Sequence, residues 1–106
     1  MKKTEIWQAK TETPYKFLNF KKEAFSPHDY ELVFEGETSG DLDEIYAEFN
    51  TKFHREMKGH SLSVSDIIVF PDENKVFYVQ VFGFLDVTSV LMDENNIKKY
   101  MRRNRA

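Results

Sequence analysis

The sequence predicts an α+β fold: an antiparallel sheet of about four to five strands, a main amphipathic helix packed on one face, and a short C-terminal helix. Two observations predict the strands. Several short segments alternate apolar and polar residues, and the segments between residues 61 and 87 are joined by turn residues that favour hairpins. A third observation predicts the helix, because the apolar residues of 41–53 recur at helical spacing.

The composition of the chain predicts one domain, residues 1–106. Its 106 residues are 41% hydrophobic and 15% aromatic, which suits a single core. The chain contains no cysteine, so disulfides, thiolate metal sites and a cysteine nucleophile are excluded. The first residues, MKKTEIWQAKTETP, contain no apolar run of the kind found in signal peptides or membrane spans. We therefore expect a cytoplasmic protein with no membrane partner.

The first third of the chain predicts two or three strands. Residues 4–9 alternate weakly and precede a polar turn. The aromatic-rich segment 15–25 favours a strand followed by a helical turn. Residues 30–36, YELVFEG, alternate as a half-buried strand that would place Tyr30, Leu32 and Phe34 on one face.

The main helix is predicted over 41–53, after Ser39 or Asp41 as the cap of free backbone N–H groups. Its apolar residues share one face, which we expect to be core: Leu42, Ile45, Tyr46, Phe49 and Phe53.

The second half of the chain predicts a meander followed by the C-terminal helix. LSVSDIIVF, KVFYVQVF and GFLDV are three extended segments separated by short turns. Ile97, Tyr100 and Met101 then fall at helical spacing among basic residues, which predicts a basic helix over 93–105.

Residues 59–66, GHSLSVSD, contain a histidine, three serines and an aspartate, the side chains of many hydrolases. If the segment from Leu62 is extended, its serines share one face and Asp66 points to the other, so these neighbours do not form a nucleophile and base pair. We expect His60 and Ser61 to cap a turn and Ser65 and Asp66 to bond local backbone.

No other segment predicts catalytic or cofactor chemistry. Histidines 28, 54 and 60 lack the spacing of zinc ligands, and there is no glycine-rich phosphate loop. We therefore predict no catalytic residue, no metal site and no cofactor.

Charge is distributed unevenly along the chain, whose net charge is −3. Between positions 29 and 51 there are eight acids and no Lys or Arg. Solvated faces of ordinary elements explain much of this, but acids can also steer a basic partner toward one face. The candidate partner-binding residues are Glu31, Glu35, Asp41, Asp43, Glu44 and Glu48. The candidate nucleic-acid contacts are the cations of the C-terminal helix: Lys98, Lys99, Arg102, Arg103 and Arg105.

Four segments in this order resemble the YodL-like domain found in Gram-positive bacteria and their mobile elements: YELVFEGE, LDEIYAEFN, GHSLSVSDIIVF and FYVQVFGFLDV. The resemblance spans about residues 4–88, and GHSLSVSDIIVF is its most specific piece. One departure is Val81-Phe82, where relatives tend to have a small polar residue before Phe-Gly-Phe.

The resemblance implies a role in binding, because the family is not established as catalytic. Its copies occur beside anti-restriction domains in mobile elements, and a chromosomal relative is linked to an actin-like cell-shape filament. We therefore expect a non-enzymatic inhibitor encoded by a plasmid or phage. Its expected partner is a host defence protein, with the leading expectation an anti-CRISPR protein that binds a Cas nuclease or its guide-RNA complex. The alternatives are a nucleic-acid-binding accessory protein that uses the C-terminal helix, and a modulator of the filament.

Overall fold

The computed structural model describes residues 1–51 and 59–91. They form a five-stranded antiparallel sheet with the strand order β2-β1-β3-β4-β5. The α+β class and the antiparallel sheet predicted from the sequence are confirmed. The strands are β1 (Lys2–Ala9), β2 (Tyr30–Thr38), β3 (Ile67–Phe70), β4 (Lys75–Val79) and β5 (Phe84–Asp86); the helices are α1 (Leu42–Thr51) and α2 (Thr88–Leu91), and a 3-10 turn spans Pro27–Asp29.

One face of the sheet is covered by α1, as the helical spacing predicted. Ile45 and Phe49 of α1 are buried against a cluster that includes Ile6 and Ile68. The ring centroids of Phe49 and Phe34 are 4.7 Å apart in an edge-to-face contact, a favourable geometry for aromatic pairs. The apolar face of the helix is therefore the core face.

The other face of the sheet is covered by residues 10–26, which we call the aromatic loop. The strand predicted within residues 15–25 is wrong, because the backbone there closes on itself through turns such as Leu18 N to Tyr15 O (2.9 Å). Its rings still enter the core: Phe20 packs against Tyr78 with centroids 5.2 Å apart. Both faces of the sheet are thus covered, whereas the sequence predicted a helix on one face only.

A β-bulge in β2 changes which of its side chains face the helix. Ile6 pairs with Phe34 and Trp7 pairs with Leu32, so Val33 is an extra residue in the strand. Tyr30 and Leu32 consequently pack on the side of the aromatic loop, whereas Val33 and Phe34 pack on the side of α1. The predicted common face of Tyr30, Leu32 and Phe34 is therefore wrong, because alternation does not register a bulge.

The sheet has two distinct ends, named here after β1. At the Ala9 end, β1 and β4 finish while β2, β3 and β5 begin, so the aromatic loop and the loops 59–66 and 80–83 meet there. At the Lys2 end, Lys2 pairs with Thr38 and its side chain lies against Gly40, just before α1 begins. The start of α1 is therefore at the end opposite to the three loops.

The predicted helix over 93–105 lies outside the described residues, as do the last two residues of the predicted helix 41–53. A helical turn, α2, already begins at Thr88, whose backbone N–H donates to Oδ1 of Asp86 (2.9 Å). Bonds from Thr88 hold the pKa of Asp86 below its usual value. Within 1–51 and 59–91, no helix is both long enough and apolar enough to cross a bilayer.

Candidate functional site

All six acids predicted to bind a partner have exposed side chains. Four of them belong to the start and outer surface of α1: Asp41, Asp43, Glu44 and Glu48. Asp41 is the helix cap, because its Oδ1 accepts a hydrogen bond from the backbone N–H of Glu44 (3.0 Å). Asp41 therefore stabilises the helix as well as contributing charge.

The two acids on β2 are separated by the bulge. Glu31 pairs with Gln8, so it lies on the α1 side of the sheet. Glu35 pairs with Glu5, whose carboxylate accepts a 3.0 Å bond from the indole N–H of Trp7 on the side of the aromatic loop. The structure thus groups five of the six acids on one side of the sheet and places Glu35 on the other. The five candidate cations, Lys98, Lys99, Arg102, Arg103 and Arg105, lie outside the described residues.

The segment 59–66 is a turn, and the predicted extended conformation from Leu62 is wrong, since β3 begins only at Ile67. Oδ2 of Asp66 accepts a bond from the backbone N–H of Ser63 (2.8 Å), and the N–H of Asp66 donates to the carbonyl of Ser63 (3.1 Å). Asp66 therefore points toward the serines rather than away from them. The expected bonding of Asp66 to local backbone is confirmed.

The groups of this turn do not have the arrangement of a catalytic triad. Nδ1 of His60 lies 3.3 Å from Oγ of Ser63 and 2.7 Å from the carbonyl of Ser61, so one ring nitrogen faces both oxygens. Asp66 bonds to Gln8 Nε2 (3.0 Å). A triad needs the acid on the ring nitrogen opposite to the nucleophile, whereas Nδ1 of His60 faces the serine oxygens and Oδ2 of Asp66 bonds to Gln8 and to the backbone of Ser63.

Burial governs the electrostatics around Asp66. Its side chain is fully buried, and its Oδ1 has no hydrogen-bond partner among the described residues. Desolvation raises the pKa of Asp66 to about 7, against the opposing effect of the bonds from Ser63 and Gln8. Desolvation also raises the pKa of Tyr78 to about 12 and the pKa of Tyr30 well above its ordinary value.

The hydroxyls of these two tyrosines connect the loops of the Ala9 end. Tyr30 donates to the carbonyl of Ser65 (2.6 Å), and Tyr78 donates to the carbonyl of Leu18 (2.7 Å). Both bonds join a strand to a loop, so the loops are held in one arrangement relative to the sheet. The buried polar groups of this end therefore have a structural role.

This arrangement exposes a surface that sequence reasoning missed. Phe17, Leu18, Val81 and Phe82, here called the apolar tip, are 52%, 50%, 56% and 93% exposed. The residues come from the aromatic loop and the β4–β5 turn, which are bonded to each other: Val81 N–H donates to Oδ1 of Asn19 (2.7 Å). The sequence contained one signal of this surface, the departure from the family pattern at Val81-Phe82. The predicted strand KVFYVQVF ends early, at Val79, so Val81 and Phe82 lie in the turn that follows it.

The described residues contain no group of three or more His, Cys, Asp or Glu that could hold a metal ion. Within positions 1–51 and 59–91, the acidic outer surface of α1 and the apolar tip are two candidate surfaces for a partner.

Comparison with known families identifies the domain. The family model described as the YodL-like domain matches residues 3–89, nearly the range expected from the four sequence segments. The match includes β1 from its second residue, the other four strands, α1 and the turn 59–66. No curated protein and no solved structure shows a significant match to this chain. The chain belongs to the YodL-like domain family.

Proposed function

We propose that this protein is a non-enzymatic inhibitor encoded by a mobile genetic element of Gram-positive bacteria, and that it acts by binding a host defence protein. The proposed target is an RNA-guided nuclease, either alone or loaded with its guide RNA. The observation that carries the proposal is the acidic outer surface of α1.

The surface is charged, and the helix that carries it is anchored to the sheet. Asp43, Glu44 and Glu48 are exposed on α1, and the helix contains no basic residue. Ile45 and Phe49 on its other face are at most 2% exposed, so the helix is anchored to the sheet. The backbone that carries these charges therefore loses little conformational freedom on binding.

A nuclease that binds a guide-target duplex holds it in a positively charged channel. The acidic surface of α1 would compete with nucleic-acid phosphates for such a channel. It would also accelerate association through electrostatic steering, an effect that salt weakens.

The test is a cleavage assay with purified RNA-guided nucleases, guide RNA and target DNA. We expect the wild-type protein to inhibit at least one nuclease of the panel. The triple variant Asp43→Lys, Glu44→Lys, Glu48→Lys should abolish that inhibition, because it replaces attraction by repulsion. Inhibition by this variant at the wild-type level would contradict the role of α1.

Two controls separate charge at this surface from charge in general and from misfolding. Glu12→Lys, Glu23→Lys, Glu37→Lys changes the net charge by the same amount at exposed positions outside α1 and should inhibit like the wild type. Asp43→Asn, Glu44→Gln, Glu48→Gln places no cation at the helix start, where a cation opposes the helix dipole. It should still lose most of the inhibition.

The alternative proposals are nucleic-acid binding through the C-terminal cations and modulation of an actin-like filament. Replacing Lys98, Lys99, Arg102, Arg103 and Arg105 together by Gln in the full chain distinguishes the first of these. It should abolish binding to labelled DNA or RNA if the cations contact phosphates, and it should spare inhibition through α1. Polymerisation of a purified actin-like filament protein in the presence of this chain tests the second.

A further inference from the structure

We propose that the apolar tip, Phe17, Leu18, Val81 and Phe82, inserts into the interface of a membrane that contains anionic lipids. This binding surface is separate from the acidic surface of α1 and does not depend on the function proposed above. The sequence predicted no membrane partner because its first residues contain no apolar run of the kind that spans a bilayer. Insertion of loop tips needs no such segment.

The tip protrudes, which distinguishes it from a pocket for a small molecule. Phe82 is 93% exposed at the end of the β4–β5 hairpin. The turn is closed by the N–H of Gln80, which donates to the carbonyl of Gly83 (3.0 Å), and Gly83 has the left-handed φ of +81°. No atom lies within 4 Å of the position that a Cβ of Gly83 would occupy. A convex apolar surface of this kind fits a deformable apolar medium.

Much of the backbone beneath the tip is already hydrogen-bonded within the protein. The N–H of Phe17 donates to Oγ of Ser65 (2.9 Å), and the N–H of Val81 donates to Oδ1 of Asn19 (2.7 Å). The N–H of Leu18 donates to the carbonyl of Tyr15 (2.9 Å), while its own carbonyl accepts from Tyr78 (2.7 Å). Transfer of polar groups to an apolar medium is costly unless they are satisfied internally. The tip meets that requirement at these positions.

The net charge of the aromatic loop, which contributes Phe17 and Leu18 to the tip, favours an anionic surface. Residues 10–25 contain Lys10, Lys16, Lys21 and Lys22 against Glu12 and Glu23. Lys16 donates to the carbonyl of Ala9 and lies over the ring of Phe17, with Nζ 5.2 Å from the ring centroid. The acids at the start of α1 lie at the opposite, Lys2 end of the sheet, whereas Glu31 at the start of β2 and Glu48, next to the Phe49 that bonds to Leu62, lie toward the Ala9 end. Lysines beside inserted apolar residues pair with anionic headgroups.

The same lysines argue against a second copy of the chain as the occupant. A symmetric pair joined through the tip would bring two sets of lysines together, and like charges repel. Neutral vesicles, a second copy and an apolar pocket of another protein are the alternatives that the experiment separates.

The test is co-sedimentation of the full chain with vesicles of phosphatidylcholine alone and of phosphatidylcholine mixed equally with phosphatidylglycerol. We expect binding to the anionic vesicles that weakens with salt. Phe82→Ser and Phe17→Ser should each weaken this binding by about tenfold, the effect of withdrawing one large apolar side chain. Lys21→Gln with Lys22→Gln should weaken it and reduce its salt dependence. Leu85→Ser, on β5 outside the tip and 38% exposed, is the matched control and should bind like the wild type.

Three results would overturn the proposal, provided that thermal melts show the variants to be folded. The first is sedimentation with anionic vesicles that is no greater than with vesicles of phosphatidylcholine alone; no sedimentation with either would leave a protein pocket as the occupant. The second is equal binding by the wild type and Phe82→Ser. The third is self-association without lipid, measured by sedimentation velocity, that Phe82→Ser abolishes, since that assigns the tip to a second copy.

Discussion

Oδ2 of Asp66 accepts a 3.0 Å hydrogen bond from Nε2 of Gln8, a residue 58 positions earlier in the chain. The same Nε2 also lies 2.8 Å from the carbonyl of His60. Gln8 thereby ties β1 to the turn 59–66. Because both side chains are at most 2% exposed, the contact is protected from solvent. This bond makes the turn part of the core, and three measurements test its surroundings.

The first prediction concerns the pH dependence of folding stability. The pKa of Asp66 is raised from 3.8 to about 7 in the folded protein, so the folded state binds this proton more tightly than the unfolded state. The resulting stabilisation is fully present below pH 4 and is lost as the pH rises through 7. The free energy of unfolding should therefore carry a falling contribution of up to about 1.4 kcal/mol per pH unit between these limits.

Urea denaturation of the wild type and of Asp66→Asn at several pH values isolates that contribution. The two proteins share every other titratable group, so the difference between them from pH 5 to pH 8 is the quantity of interest. The wild type should lose stability relative to Asp66→Asn over this range. Parallel curves would show that Asp66 titrates near its ordinary pKa.

The second prediction concerns Gly59, the first residue of the GHSLSVSD turn. A Cβ at Gly59 would overlap Oε1 of Gln8 and lie 3.1 Å from Cγ1 of Val33. Gly59→Ala must therefore displace Gln8 and weaken its bond to Asp66, at a cost of about 1–3 kcal/mol for the buried carboxylate. Denaturation of Gly59→Ala measures this cost.

Gly83→Ala is the matched control for Gly59→Ala. Its Cβ would meet no atom within 4 Å, so the control should show only the strain of its left-handed φ, +81°, about 1 kcal/mol. In a double mutant with Gln8→Ala, the extra cost of Gly59→Ala should largely disappear. Full additivity would mean that Gly59 and Gln8 are not coupled.

The third prediction concerns Tyr30, whose hydroxyl donates to the carbonyl of Ser65 over 2.6 Å. Tyr30→Phe leaves that buried carbonyl without this donor and should destabilise the protein by about 1–3 kcal/mol. Tyr46→Phe, at a half-buried position of α1, is the comparison and should cost less. A thermal melt of each protein gives the difference, and equal melting temperatures for the two variants would argue against the Tyr30 bond.

The local sequence predicted the elements whose signals are local. Helical spacing located α1, because Ile45 and Phe49 must share a face to be buried together. The short turns between apolar segments located the β3–β4–β5 meander, because strands joined by short turns pair with each other as antiparallel neighbours. The exposure of Asp43, Glu44 and Glu48 also followed from helix geometry, since their positions face away from the apolar stripe.

The failures of prediction have a common cause, which is contact between residues far apart in the chain. Alternation in YELVFEG gave no sign of the bulge at Val33, which is defined by pairing with β1. The aromatic residues of 15–25 suggested a strand, but Phe17 has a φ of +70° and its N–H donates to Ser65, 48 positions later. The serines of GHSLSVSD alternate like a strand, yet the segment is a turn whose Asp66 bonds to Gln8, 58 positions earlier.

The sequence by itself determined the α+β class, the position of α1, its acidic surface and membership of the YodL-like family, because periodicity, charge and ordered motifs are properties of neighbouring residues. The tertiary structure alone decided which loops meet at the Ala9 end. It buried Asp66 against Gln8 and brought Phe17 and Leu18 beside Val81 and Phe82 through bonds such as that between Asn19 and Val81, 62 positions apart. Side chains so distant in the chain become one surface only when the sheet has aligned the ends of its strands.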